Sequence, residues 1–208
     1  MDAITHKCLW WKFLSSKEHV SDYKEGLEYC TKYYDIKAVV GDGILGLKKL
    51  CKEHGVAFQI CLVHVYRRAI TKLTRKPKSD AGKLLLSITK KLFNVSQMSL
   101  ECELKIFSKK YESFLKEKTY SFSDWRYTHS RVRGAYFTLK SNLEYLYTFK
   151  TIKDMPRDNN RIEGFFRDLK AHLIIHKGLK QASKMKFISW YIYLKNRLNG
   201  QKVGMKML

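Results

Sequence analysis

The first third of the chain alternates short apolar runs with stretches in which apolar residues recur every three or four positions. Runs rich in aromatic and β-branched residues predict strands, and the longer spacing predicts helices. The predicted order is strand, helix, strand, helix, strand, with bounds Cys8–Leu14, Val20–Tyr34, Ile36–Val40, Leu45–His54 and Val56–Cys61. This alternation predicts an α/β fold.

After Cys61 the pattern becomes helical up to about Phe149, with turn-like breaks between the helices. The predicted helices are Val65–Leu73, Asp80–Phe93, Leu100–Lys118 and Ser130–Phe149. A polar loop then leads to a last helical region that begins near Arg161 and is interrupted at Gly178. We therefore predict one α-rich α/β domain over residues 1–208, with an all-helical insertion at about residues 65–150.

Composition supports an ordered protein whose partner is a polyanion. Hydrophobic residues make up 45% of the 208 residues and there are only two prolines, so the chain can bury a core. The formal net charge is +22, and the basic residues are spread along the chain among aromatics, which favours DNA or RNA binding. A ribosome-associated protein and an ordinary basic surface are the alternatives.

The lengths of the apolar runs and the cysteine pattern indicate the cellular compartment. No uninterrupted apolar run approaches the roughly 18 residues of a membrane span, so we expect no membrane partner. The five cysteines form an odd set without disulfide-type spacing, which is typical of a reducing compartment. We expect a cytoplasmic protein.

Two acidic residues stand out by their positions. Asp42 follows a predicted buried strand, where open α/β sheets place binding groups, and Glu163 lies in the first turn of a helix. Carboxylates on rigid elements suit the Mg²⁺ ions that promote phosphoryl transfer on DNA. The alternatives are a turn-forming Asp between two glycines and a Glu that favours the helix dipole.

Three segments carry short motifs in a fixed order. They are Val39–Leu47, which contains Asp42; Gln59–His64, which has a Cys-x-x-His signature; and Asn159–Lys170, which contains Glu163. Together they resemble landmarks of mutator-type bacterial insertion-sequence DDE transposases. The resemblance implies an RNase H-like fold in which Asp42 and Glu163 are catalytic residues and metal ligands, with His64 near the reacting phosphate. It implies two Mg²⁺ (or Mn²⁺) ions and DNA, both transposon ends and target, as partner.

The resemblance also implies a first catalytic Asp on a strand that this sequence does not contain. Only one predicted strand, Cys8–Leu14, precedes the helix that leads to Asp42, whereas the family's fold has three. Asp2 is expected in a turn rather than as the missing ligand. We therefore expect an N-terminally truncated transposase fragment, inactive alone, whose intact parent cuts and joins DNA. The alternative is a non-catalytic nucleic-acid-binding protein.

Several basic residues are candidate phosphate contacts, with solvated helix faces as the alternative for each. They are Arg67, Arg68, Arg131, Arg133, Arg161, Arg167 and Lys170. Binding would place the protein on the bacterial nucleoid, and a homo-oligomer is left open. For Trp125 we expect ordinary packing, with stacking on a DNA base as the alternative.

Cysteine and histidine pairs raise the question of zinc. Cys51 with His54 and Cys61 with His64 could supply four ligands, but six residues separate the pairs, unlike the usual finger spacing. We therefore do not expect a zinc site. The resemblance implies that Cys61 and His64 brace the edge of the active site; the alternatives are core packing for Cys61 and a surface helix start for His64. Aromatic and aliphatic residues near the end of the chain are expected in the core; they are Phe187, Trp190, Tyr191 and Leu194.

Overall fold

The computed structural model describes residues 1–205, with side chains described up to residue 200. The elements over that range follow in chain order. They are α1 (Val20–Tyr33), β1 (Ala38–Gly41), α2 (Leu47–Glu53), β2 (Ala57–Ile60), α3 (Leu62–Leu73), α4 (Asp80–Lys90), α5 (Gln97–Lys110), α6 (Glu112–Lys116), β3 (Lys118–Tyr120), β4 (Trp125–Tyr127), α7 (Ser130–Lys140), α8 (Asn160–Ile175) and α9 (Gln181–Met205). Short 3-10 turns at Leu143–Tyr145 and Thr148–Lys150 follow α7.

A small parallel sheet forms the centre of the N-terminal half. Strands β1 and β2 pair in register from Ala38 with Ala57 to Gly41 with Ile60, and α2 makes the crossover between them. The parallel pairing fits the βαβ pattern read from the sequence. The helix-rich molecule therefore belongs to the mixed α/β class, as predicted.

The main core lies where β2 meets the helices that follow it. Helix α3 buries Leu62, Val65, Ala69 and Leu73, which share one face because they are spaced by three or four residues. This face packs mainly against α7 and α4. Two predicted helices of the insertion are present as α3 and α4. The predicted helix Leu100–Lys118 is divided into α5 and α6, and the predicted helix Ser130–Phe149 ends at Lys140 and continues as 3-10 turns.

A buried glutamine joins the sheet to the end of the insertion. Gln59 has no exposed surface; its Nε2 donates to the Leu146 carbonyl at 2.8 Å, and its Oε1 accepts from the Phe149 amide at 3.0 Å. Thr148 Oγ1 also donates to the Phe58 carbonyl at 2.9 Å. Since buried polar groups need partners, these bonds fix where the insertion returns to the sheet.

The predicted strand Cys8–Leu14 is wrong, because this segment has no regular secondary structure. Side chains rather than a strand partner satisfy its backbone: the Asn196 amide group bonds both the Cys8 N–H and its carbonyl, at 2.8 and 3.0 Å. Trp10 packs on Gly26 so closely that a Cβ there would lie 2.7 Å from the ring. The aromatic run therefore packs through Trp10 on α1 instead of pairing with a strand.

Asp2 lies in a turn, as expected. Its carboxylate accepts hydrogen bonds from the amides of Ile4 and Thr5.

The prediction of an all-helical insertion is also wrong. Strands β3 and β4 form an antiparallel hairpin, with Lys118 opposite Tyr127 and Tyr120 opposite Trp125. Each strand has only three residues, most of them exposed, so no buried apolar run marked them in the sequence. The insertion is therefore a set of helices with one hairpin projecting from it.

Helices α8 and α9 pack on each other around a second, smaller apolar cluster. Tyr191 and Phe187 contribute to it, as expected, but Trp190 and Leu194 are wrongly predicted as core because they are 64% and 53% exposed. The predicted interruption at Gly178 separates the two helices. Within the described range, no helix has the length and apolar character that a bilayer span requires.

Candidate active site

The carboxyl ends of β1 and β2 bring two of the predicted site segments together. Asp42 directly follows β1, and Cys61 directly follows β2. The Cys61 amide donates to the Gly41 carbonyl at 2.7 Å, so the two chain segments remain adjacent past the last strand pair. This edge is where α/β folds place binding groups.

The loop before α8 docks onto the same edge. Its Arg157 carbonyl accepts from the Leu62 amide at 3.1 Å, which satisfies one of the unpaired N–H groups at the start of α3. Burial raises the pKa of the Cys61 thiol, and the backbone N–H groups of Asn159 and His64 oppose that rise. Cys61 is completely buried, as the core alternative predicts, and sits between the sheet and the loop.

This docking brings Glu163 against the first turn of α3. His64 Nδ1 lies 3.5 Å from Glu163 Oε1, and Arg67 Nη1 lies 3.9 Å from Glu163 Oε2. His64 and Arg67 are three residues apart, so both face α8 from one side of α3. The structure therefore gathers two predicted catalytic residues, Glu163 and His64, with one predicted phosphate contact.

Three buried polar atoms at this junction have no hydrogen-bond partner: Glu163 Oε1, His64 Nδ1 and Asn159 Oδ1. The separation of 3.5 Å between the first two is too long for a good hydrogen bond. Unpaired buried acceptors are costly unless another group binds them. The two oxygen acceptors are of the kind that a hard divalent cation such as Mg²⁺ prefers, whereas the imidazole of His64 is not.

Asp42 lies on the β1 side of the same edge, immediately before Gly43. A Cβ added to Gly43 would lie 2.9 Å from Ile60 and 3.3 Å from Arg68 Nη1, so the Arg68 guanidinium lies against the residue that follows Asp42. Gly43 has φ +88°, which favours glycine there. Burial, a hydrogen bond to Glu18 and the Asp42 charge raise the pKa of Tyr23, which places Asp42 close to α1.

Among the described residues, no group of three or more His, Cys, Asp or Glu side chains is arranged to hold a metal ion. Asp42 and Glu163 thus share a sheet edge without forming such a group. The two Cys-His pairs are likewise not gathered into one four-ligand group. Cys51 is completely buried, and burial raises its pKa to about 11.

The seven predicted phosphate contacts fall into two groups: four that are at the candidate site or exposed on α8, and three that bond the backbone of the protein itself. Arg67 and Arg68 lie at the candidate site, and Arg167 and Lys170 are exposed on α8. The other three bond the protein's own backbone. Arg131 donates to the carbonyls of Thr71 and Lys72. Arg133 donates to the Leu115 carbonyl, and Arg161 donates to the Ala3 carbonyl.

Sequence reasoning did not identify Asn159 and Arg157 as site residues, although both lie beside the predicted helix start. Asn159 is the N-cap of α8, and its carbonyl accepts from the Glu163 amide at 3.1 Å. An Asn immediately before a helix that carries a candidate carboxylate was the available signal.

Comparison with protein families settles the class of the protein. A family model described as "Transposase IS66 family" matches residues 16–186, which is most of the chain. The chain belongs to the IS66 transposase family. The matched range includes both ends of this transposase's candidate site, from Asp42 to Glu163. The family supports a transposase-type function on DNA and suggests DNA as the partner.

The match corrects the resemblance drawn from the motifs. IS66 and mutator-type transposases are different families, so the motifs identified the class of protein but not the family. Comparison of this transposase with curated proteins and with solved structures found no match.

Proposed function

We propose that this transposase chain provides two carboxylates, Asp42 and Glu163, to a metal-dependent site that cuts and joins DNA strands. The observation that supports it best is the junction between α3 and α8. There Glu163 presents a buried, unpaired oxygen beside His64 at the carboxyl edge of the sheet. When bound, Mg²⁺ or Mn²⁺ ions activate the attacking oxygen and stabilise the leaving oxygen.

Residues of this chain would bind and position the DNA phosphate. Arg67 and Arg68 bring guanidinium groups to the two sides of the site, near Glu163 and beyond Asp42. A groove between α3 and α4 continues from Arg67 and is also lined by Arg75 and Lys90. Cations at these positions attract the DNA backbone, and His64 would hold Glu163 in place or donate a hydrogen bond to a phosphate oxygen.

The proposal includes an RNase H-like arrangement in a longer parent chain. Strand β1 pairs with β2 on one side, and the first catalytic carboxylate expected from the motifs would lie on an upstream strand. Two carboxylates without the third would bind a metal ion weakly and would not support strand transfer, because catalytic groups that act as a unit fail together.

Metal binding tests the site in the chain as it stands. Mn²⁺ titration followed by electron paramagnetic resonance should detect binding that Asp42→Asn and Glu163→Gln each weaken by about tenfold or more, since each removes a charged ligand. Glu112→Gln is the matched control, because Glu112 lies exposed on α6 and pairs with Lys116. Equal Mn²⁺ affinity in all three variants would contradict the proposal.

Strand chemistry tests the function itself. A parent chain that includes the upstream segment should nick DNA carrying the element's ends only with Mg²⁺ or Mn²⁺, and both site variants should abolish nicking. Salt-sensitive DNA binding that is indifferent to the metal and to both acids would instead support the alternative, a DNA-binding protein without catalysis.

A further inference from the structure

The hairpin β3–β4 presents aromatic rings and cations on one face. Tyr120 pairs with Trp125, and Lys118 pairs with Tyr127. Since side chains alternate along a strand and cross-strand partners share a face, these four residues form one surface, which we call the aromatic face. Thr119 and Arg126 belong to the opposite side.

The aromatic face is a continuous series of stacked groups. The rings of Trp125 and Tyr127 meet edge to face at 5.2 Å, and Lys118 Nζ lies 3.9 Å from the Trp125 ring. The Arg133 guanidinium lies 3.8 Å from the centre of the Tyr127 ring and 4.6 Å from that of Phe137. These cation–π contacts hold the rings in place before any partner binds.

The rings nevertheless remain open to solvent. Tyr120 is 73% exposed, Trp125 is 45% exposed, and Phe122 at the tip is fully exposed. None of these three belongs to an apolar cluster of the described structure. Ordinary packing therefore does not account for Trp125, and neighbouring exposed rings on a projecting hairpin mark a binding surface.

The charges beside the rings identify the kind of partner. Lys118 belongs to the aromatic face and Arg133 stacks on its Tyr127 ring, whereas the acidic groups nearby are engaged: Glu117 pairs with His129 at 3.0 Å, and Asp124 Oδ1 accepts from the Trp125 amide. Aromatic platforms beside cations bind single-stranded nucleic acid, because each ring stacks on a base while the cations neutralise phosphates. Bases inside a duplex are already stacked and cannot use such a platform.

We propose that the aromatic face binds unpaired bases of single-stranded DNA. The inference rests on the proposed function, because it assigns the transposase's hairpin to strands that have been separated from the duplex. A second copy of the chain or another protein is the competing occupant, and measurements of oligonucleotide affinity and of self-association distinguish DNA from protein.

Fluorescence anisotropy with a labelled oligothymidylate of about 12 nucleotides tests the proposal. Trp125→Ala and Tyr120→Ala should each weaken binding of the oligonucleotide about tenfold, and change binding of a short duplex less than twofold. Trp125→Phe, which keeps a ring, should restore most of the affinity. The matched control is Trp190→Ala on α9, because Trp190 is also an exposed tryptophan and lies outside the aromatic face.

Measurements in EDTA keep this test independent of the metal site, so either proposal can fail while the other stands. A 2-aminopurine base in the oligonucleotide should lose fluorescence on binding, because stacking quenches it, and Trp125→Ala should prevent that loss. Circular dichroism verifies that each variant is folded. Unchanged oligonucleotide affinity in both alanine variants overturns the proposal, and an accompanying loss of self-association in sedimentation assigns the surface to a protein instead.

Discussion

The buried thiol of Cys51 links the stability of the protein to alkaline pH. Cys51 lies on α2 with no exposed surface, and burial raises its pKa from 9.0 to about 11. Below pH 9 the thiol keeps its proton in both folded and unfolded chains. Between pH 9 and pH 11 the unfolded chain loses the proton and the folded chain keeps it, so the free energy of unfolding falls as pH rises.

Cys51→Ala should reduce this alkaline loss of stability. A shift of about two pKa units corresponds to about 2–3 kcal/mol, most of which should be absent from the variant when urea unfolding is compared at pH 8 and pH 10.5. Cys102→Ala is the control, because Cys102 is exposed on α5. If the two variants show the same dependence on pH, burial of Cys51 does not cause it.

Candidate site residues could be selected from the sequence only where their position next to a predicted element indicated their surroundings. Asp42 and Glu163 could be selected because each follows a recognisable strand or loop, and the structure places both segments at one edge of the sheet. Arg131 and Arg133 could not be recognised from the sequence as residues with a structural role. Their guanidinium groups donate to backbone carbonyls that are distant along the chain, and a sequence does not show such contacts.

At the scale of elements, periodicity predicted the long helices and the β1–α2–β2 unit, which carry strong apolar patterns. It failed at Cys8–Leu14 and at the hairpin. An aromatic run has the same composition whether it pairs as a strand or packs on a helix, and Trp10 packs on Gly26. The three-residue strands of the hairpin are stabilised by Arg133 and by ring contacts that leave no periodic signal.

Arg133 should therefore stabilise the hairpin rather than serve mainly as a phosphate contact. Its Nη1 donates to the Leu115 carbonyl at 3.0 Å while the guanidinium stacks on Tyr127. Arg133→Ala should speed hydrogen exchange of the β3 and β4 amides by about tenfold, since it removes a charged hydrogen bond and a cation–π contact. Arg167→Ala, on α8, should leave this exchange unchanged. Equal protection in both variants would refute the role.

At the scale of the whole molecule, the net charge of +22 favours association with the DNA backbone. Some cations are held by internal bonds, such as Arg131 at the end of α3, whereas Arg167 and Lys170 project from α8 without a bonding role in the described structure. Helix α8 also carries Glu163, so DNA held by these two side chains would lie close to the candidate site.

Arg167→Ala and Lys170→Ala should each weaken duplex DNA binding and lower the slope of log affinity against log salt by about 1, because each removes one phosphate contact. Anisotropy at several salt concentrations measures the slope. Lys105→Ala is the control, since Lys105 pairs with Glu101 on α5. A slope that changes equally in the control would mean that general charge, rather than α8, determines binding.

The bond between the Leu62 amide and the Arg157 carbonyl bears on when the site can assemble. Its partners, like His64 and Glu163, are about a hundred residues apart in the chain. During synthesis the insertion leaves the ribosome before Glu163 does, and domains fold as their residues emerge. The candidate site therefore forms only after α8 has been synthesised, and a translation product interrupted before α8 would lack Glu163.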